Sequence, residues 1–237
     1  MGSLNVTSFI ENCQACKLRR ERAFCNLSAE ALRGLDQISY SVVYPEHAVV
    51  FTADSPCHGA FLLCAGRVKL STAARDSKKI MLQVAGAGEV LGLSSLLAGS
   101  HHEVTAETLS PSVLRLMKRD DFLEFLRKFP ETSFPLLEAL GQEYEIGLHS
   151  LRSLAWFPTA AARVAQLLLN ICEDHGREER QRKVKLLLTQ EQIAQMTATS
   201  RETVTRLLGQ LRRERIISIR GSDLVIRNRA ALEQMAC

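Results

Sequence analysis

Thr189-Gln-Glu-Gln-Ile-Ala-Gln-Met-Thr-Ala-Thr-Ser-Arg-Glu-Thr-Val-Thr-Arg-Leu-Leu-Gly-Gln-Leu-Arg-Arg-Glu214 divides into two short helical stretches around a tight turn. Thr189 is a good N-cap, and Ile193 and Met196 keep one side of the first stretch apolar. Thr197-Ala-Thr breaks it. Ser200 then caps the second stretch, with Glu202 and Thr203 in the first turn. Val204, Leu207, Leu208 and Leu211 recur at i, i+3, i+4 and i+7, which turns them inward and leaves Arg201, Glu202, Thr205 and Arg206 outward. Side chains of that chemistry on one helix face reach base edges in a major groove. Ser200 and Arg212, at the two ends of the same helix, complete the set expected to touch DNA.

The flanking chain extends the reading. Arg212, Arg213 and Arg215 follow, and Ile216-Ile-Ser-Ile-Arg-Gly-Ser-Asp-Leu-Val-Ile-Arg alternates around a Gly221-Ser-Asp turn, the pattern of a β-hairpin wing. From Trp156 onward there are 14 Lys/Arg against 9 Asp/Glu, a net of +5; the remaining 16 against 17 net −1. The basic surplus therefore sits where phosphates would lie, which the whole-chain +4 would not by itself reveal.

At 237 residues and 46% hydrophobic composition, the chain can bury two modest cores. No apolar run approaches the roughly 20 residues that span a bilayer, and Met1-Gly-Ser-Leu-Asn-Val-Thr has no basic start or apolar core of a signal peptide. A cytoplasmic protein without a membrane partner is expected. Seven cysteines in a reducing compartment are then either buried small apolar residues or chemistry.

Four stretches are expected: a cysteine-bearing N-terminal segment over 1–28, a β-roll over 29–130, a long dimerisation helix over 131–155, and a winged helix-turn-helix over 156–237. Ser28-Ala-Glu-Ala-Leu begins a capped helix. Between Ile38 and Lys118, short β-rich runs are cut by glycines at 59, 66, 86, 88, 92 and 99, as in an antiparallel roll. Asp120–Leu126 is a short helix and 132–154 a long one. On the latter Leu137, Leu140, Tyr144, Gly147, Leu151 and Leu154 step by three and four, with Leu148 beside them. Such a seam packs on its own domain or pairs with a second copy, and a homodimer would carry two reading heads to a palindromic duplex. Phe157-Pro158 stops this helix and Thr159 caps the next, to about Cys172.

A glycine-cornered roll, a seam helix and a winged helix-turn-helix containing Ser200-Arg-Glu-Thr-Val-Thr-Arg-Leu-Leu together resemble the Crp/Fnr superfamily of bacterial transcription regulators, over nearly the whole chain. The resemblance implies an α+β fold and sequence-specific binding of double-stranded DNA, with Glu202 accepting from cytosine and Arg206 donating to guanine, pairings that donor–acceptor geometry also allows. Arg201 matches the Crp branch, and Thr205 stands where the Fnr branch has serine. In an activator, a roll loop such as Arg75-Asp-Ser-Lys-Lys would touch RNA polymerase; a repressor needs no such contact. The cyclic-nucleotide branch uses a glutamate and an Arg-Ser pair. Here Leu93 takes the glutamate's place and no such pair follows, so cyclic AMP is not expected. Gly-Ser-His101-His102 is similar to the Fnr branch instead.

Fnr-like sensors bind an oxygen-labile [4Fe-4S] cluster through three N-terminal cysteines and a fourth in the roll. Cys13-Gln-Ala-Cys16 and Cys25 form a C-x2-C-x8-C set, with a longer second gap than is typical of Fnr. Leu114 stands at the expected fourth position, so another ligand must be recruited. Cys57, on an apparent turn, is preferred over Cys64 on a roll strand, with His101, His102 or an acidic residue as further options. Thiol–disulfide sensing, zinc, a vestigial set, and a small molecule or haem in the roll on His101 or His102 remain alternatives. Lys17, Arg19, Arg20 and Arg22 favour thiolates or are simply solvated. Cys64 and Cys172 also read as buried apolar-face cysteines, and Cys237 as a free terminal thiol. Leu148 occupies the position of an Fnr-branch acidic residue in the dimer helix, so a dimer that persists without cofactor is expected. No G-x-S-x-G, H-E-x-x-H or P-loop marks an enzyme.

Overall fold

Glycine corners and β-branched runs over residues 39–118 assemble two four-stranded sheets in the computed structural model, which describes residues 12–16, 19–73, 79–174 and 183–236. One sheet orders β1 (Ser39–Tyr44), β8 (Ser112–Lys118), β3 (Gly59–Ala65) and β6 (Val90–Leu91). The other orders β2 (Val49–Phe51), β7 (Thr105–Thr108), β4 (Val68–Ala73) and β5 (Lys79–Ala85). Gly66 separates β3 from β4 at φ +97, where a Cβ would come within 2.1 Å of the Ser112 hydroxyl.

Alternation along β3 separates two cores. Phe61 and Leu63 join Phe51, Val68, Leu91 and Leu114 in one cluster, while Ala60 and Leu62 turn to the other, with Met117 and helices packed outside. Those helices are α1 (Ala29–Ile38), which contributes Leu32 and Leu35, and α3 (Arg119–Lys128), which contributes Phe122 and Phe125. Ser28 caps α1, its hydroxyl accepting from the Ala31 N–H at 3.1 Å. A six-residue α2, Leu93–Ala98, lies within the glycine-cornered stretch.

Helix α4 spans Ser133–Trp156, two residues beyond the predicted end. Leu136 is buried and Leu140 half-buried against the α1/α3 cluster, whereas Phe134, Leu137, Tyr144, Leu151 and Trp156 are exposed. The predicted seam is thus shared: Leu140 serves its own core, Leu137, Tyr144 and Leu151 face outward, and Leu148 is half-exposed. A Cβ at Gly147 would meet nothing within 4 Å. The Leu154 side chain lies outside the described set, as do residues 75–78 of the loop assigned to RNA polymerase, Lys17 and Cys237.

By contacts the chain divides at Ile146/Gly147, inside α4 rather than after it: Met1–Thr72 with Leu82–Ile146, and Ala73–Met81 with Gly147–Cys237. In the second unit α5 (Ala160–Asp174), capped by the Thr159 hydroxyl at 3.0 Å from the Ala162 N–H, packs with α6 (Gln190–Met196), α7 (Arg201–Arg213) and α8 (Arg229–Ala236). A three-stranded antiparallel sheet completes it, ordered β10 (Ile217–Arg220), β11 (Asp223–Ile226) and β9 (Lys183–Lys185). Strand β9 is too short to declare a period in sequence, and α8 follows the wing with only Asn228 as its sign, capping the Ala231 N–H at 3.1 Å.

Candidate DNA interface and cysteine site

Helix α7 is built as its spacing dictates. Val204, Leu207, Leu208 and Leu211 are buried, and Ser200, Arg201, Glu202, Thr205, Arg206 and Arg212 are all exposed. Ser200 caps the helix, accepting from the Thr203 N–H at 3.2 Å. The Glu202 carboxyl is held below its ordinary range by its own backbone N–H and by Ser200, which keeps it an acceptor. Thr189 and Gln192 form a reciprocal capping box on α6. The Thr205 hydroxyl lies 2.5 Å from the Gln190 Oε1 and 2.9 Å from the Arg201 carbonyl, so its proton is engaged inside the motif and its methyl remains to meet a base. Arg163 on α5 anchors the turn: its Nε donates to the Thr197 carbonyl at 2.7 Å and its Nη1 to the Phe157 carbonyl at 2.8 Å. Sequence reading missed Gln190 and Arg163, because both act through contacts between elements.

In the first unit Cys13, Cys25 and Cys57 lie in one buried cluster with Cys64 packed against it, and Cys16 is half-exposed. Burial is the largest influence on the thiols, raising Cys13 and Cys64 and pushing Cys25 up to about 11. After burial the largest influences are Arg115 and then Asp36 on Cys13, Cys64 and then Arg22 on Cys25, and Arg115 and then Arg22 on Cys64. Cys57 is buried, not on an open turn, with its Sγ 3.4 Å from the Gly59 carbonyl and 3.8 Å from that of Gly92. Leu114 is fully buried among the facing sheets. The β8 residue turned to the cysteines is its neighbour Arg115, paired with Asp36 at 2.5 Å. Both Asp36 oxygens also accept from the Cys13 N–H at 2.9 Å, fastening the segment to α1. Cys64 reaches this face from β3 beside a register shift between Leu63 and Ala65. Among the described residues, no group of three His, Cys, Asp or Glu is gathered as for a single metal ion. Cysteine thiolates are the donors that an iron–sulfur cluster takes, each on its own iron, and Arg115 and Arg22 are cations near Cys25 and Cys64.

Residues 162–235 match the Crp-like helix-turn-helix domain family, and residues 41–129 the cyclic nucleotide-binding domain family. A CRP-like cAMP-activated global transcriptional regulator of Mycobacterium tuberculosis (strain ATCC 25618 / H37Rv) is 27% identical over 92% of this chain and 98% of its own length. A probable transcriptional regulator, flp, of Lacticaseibacillus casei is 25% identical over 90% of this chain and 94% of its own. The chain belongs to the Crp/Fnr superfamily. It is a DNA-binding transcription regulator rather than an enzyme. Solved structures share the fold: a CooA variant from Carboxydothermus hydrogenoformans has TM-score 0.73 at 23% identity, covering 85% of this chain and 89% of that one. FixK2 from Bradyrhizobium japonicum has TM-score 0.68 at 22% identity, covering 84% and 98%.

In this Crp/Fnr regulator the roll holds a cavity of about 310 Å³ between the Gly88–Leu91 stretch and α4, with Arg22 and Phe24 of the cysteine segment in its lining. Leu93, at the place of the cyclic-nucleotide branch's glutamate, is fully buried in the α1/α3 core. His101 is exposed, while His102 is buried and stacked on Phe51 at 4.0 Å between centroids. No helix among the described residues is long and apolar enough to cross a membrane.

Proposed function

We propose that this protein is a homodimeric regulator that binds a palindromic duplex and senses oxygen, nitric oxide or redox state through an Fnr-like [4Fe-4S] site on Cys13, Cys16, Cys25 and Cys64. The observation that carries the reading is the packing of Cys64 against the buried cluster that holds Cys13 and Cys25, with Arg22 bonded to the Cys64 carbonyl and Asp36 tying the Cys13 N–H to Arg115. When bound, a cluster on these thiolates supplies chemistry that oxidants destroy. The chain's own residues do the rest. Arg115 and Arg22 offset thiolate charge, and Asp36 holds both Arg115 and the Cys13 backbone. The exposed Leu137, Tyr144 and Leu151 on α4 support pairing with a second copy. Leu93, which cannot hydrogen-bond a ribose, and the three carboxylates Glu89, Glu138 and Glu143 against the single cation Arg22 among the described residues of the cavity lining argue against cyclic AMP. An activator working this way also contacts RNA polymerase; a repressor does not.

Anaerobic purification with iron and sulfide analysis tests the proposal. About four irons per chain and a visible band that bleaches in air are expected, and Cys64→Ser abolishes both while Cys57→Ser preserves them. Colourless, iron-free protein would reject the cluster. A Cys64 disulfide with the N-terminal segment on oxidation would then move the assignment to thiol–disulfide sensing, which the same neighbourhood supports.

A further inference from the structure

Arg22 lies in the sequence between Cys16 and Cys25, and its side chain reaches from that segment to the roll. Its Nη1 donates to the Cys64 carbonyl at 3.0 Å. Its aliphatic stem crosses Gly88, where a Cβ would come within 2.8 Å of the Arg22 Cγ. Gly88 holds φ +105, so the close approach uses a position where glycine is favoured on two counts. Beyond Gly88 the same side chain lines the cavity whose facing wall includes Glu138, Gln142 and Glu143 of α4. One residue therefore touches a candidate ligand strand, a glycine made bare for it, and the space against the long helix.

We propose that Arg22 is the positioning residue that carries the state of the cysteine site to α4. While the cysteines are assembled, the segment holds Arg22 across Gly88 and closes that side of the cavity. When their chemistry changes, the segment shifts, the Arg22 stem leaves Gly88, and the α4 face over 133–146 loses its cover. The roll cavity is in this way governed by a side chain of the protein itself. The inference rests on the cysteine-sensing reading but not on which cofactor the thiols hold.

Hydrogen exchange of the 133–146 peptide, read in full-length reduced protein before and after diamide, tests it; diamide takes two hydrogens from a thiol pair and leaves a disulfide. In the unsubstituted protein, oxidation is expected to speed exchange there by about tenfold, a coupling of ordinary size. Arg22→Ala is expected to exchange fast before oxidation and to respond by less than about twofold, whereas Arg22→Lys, which keeps a stem over Gly88 and a donor, retains most of the response. An Arg22→Ala protein that responds like the unsubstituted one overturns the role of Arg22 and leaves cysteine sensing standing. If the unsubstituted protein itself does not respond, cysteine sensing through α4 falls and this inference with it. Should Arg22→Ala lose its fold, as fast exchange across 59–65 would reveal, Arg22→Lys decides: no response there rejects the coupling.

Discussion

Ala198 holds φ +48 in the turn between α6 and α7, a left-handed conformation that costs an L side chain roughly 1–2 kcal/mol. Ala198→Gly is therefore expected to stabilise the protein by up to about 1 kcal/mol, the relieved strain being partly offset by the looser unfolded chain. Urea denaturation measures it. On the neighbouring helix the exposed residues should separate by role. Arg206→Ala and Glu202→Ala are expected to cost about 1–3 kcal/mol on the preferred duplex and to relax preference at one base pair each. Arg212→Ala should weaken all duplexes alike and lower the salt slope by about one. Competition binding with single-base variants at several salt concentrations distinguishes the two; uniform losses for Arg206→Ala would demote it to a phosphate contact. These residues were legible in sequence because helix periodicity settles which side chains face out. The engagement of Thr205 by Gln190 was not, since 15 positions separate them and only the α6/α7 crossing brings them together.

Between elements, buried polar ties hold the working parts. Asp36 accepts from both Arg115 and the Cys13 N–H, and the Arg115 side chain is only 7% exposed. Asp36→Ala would leave a buried guanidinium without its carboxylate, at an expected cost of about 3–5 kcal/mol. It should also release the cysteine segment, which faster alkylation of Cys13 would report. Alkylation unchanged from the unsubstituted protein would mean that Asp36 serves stability alone. In the second unit Arg163 joins the Phe157 carbonyl, just after α4, to the Thr197 carbonyl in the α6/α7 turn. Cysteine pairing illustrates why spacing stopped short. Along the chain an apparent turn favoured Cys57, but Cys57 is enclosed beside Gly59 and Gly92, while β3 turns Cys64 to the face that carries Arg115. The same pleat sends Leu114 into the opposite core.

For the whole molecule, the exposed stripe of Phe134, Leu137, Tyr144 and Leu151 is the surface a second copy would cover. Cofactor-free protein is expected to remain dimeric by light scattering, because the half-exposed Leu148 places no carboxylate against its twin. Leu151→Glu should give monomers and lose affinity for a palindrome far more than for a single half-site. A monomeric cofactor-free protein would instead make assembly conditional on the sensor. The order of roll, long helix and winged reading head followed from sequence, as did the outward face of α7, the capped helix starts and the basic C-terminal third. Each rests on local periodicity, capping chemistry or composition, which the chain carries residue by residue. The face of β3 on which Cys64 stands, Arg115 as the β8 residue on that face, the division of α4 between its own core and an exposed stripe, and the reach of Arg22 over Gly88 were decided only by tertiary structure. All four depend on which sheet face or helix side meets another element, and that is set by packing between residues far apart in the chain.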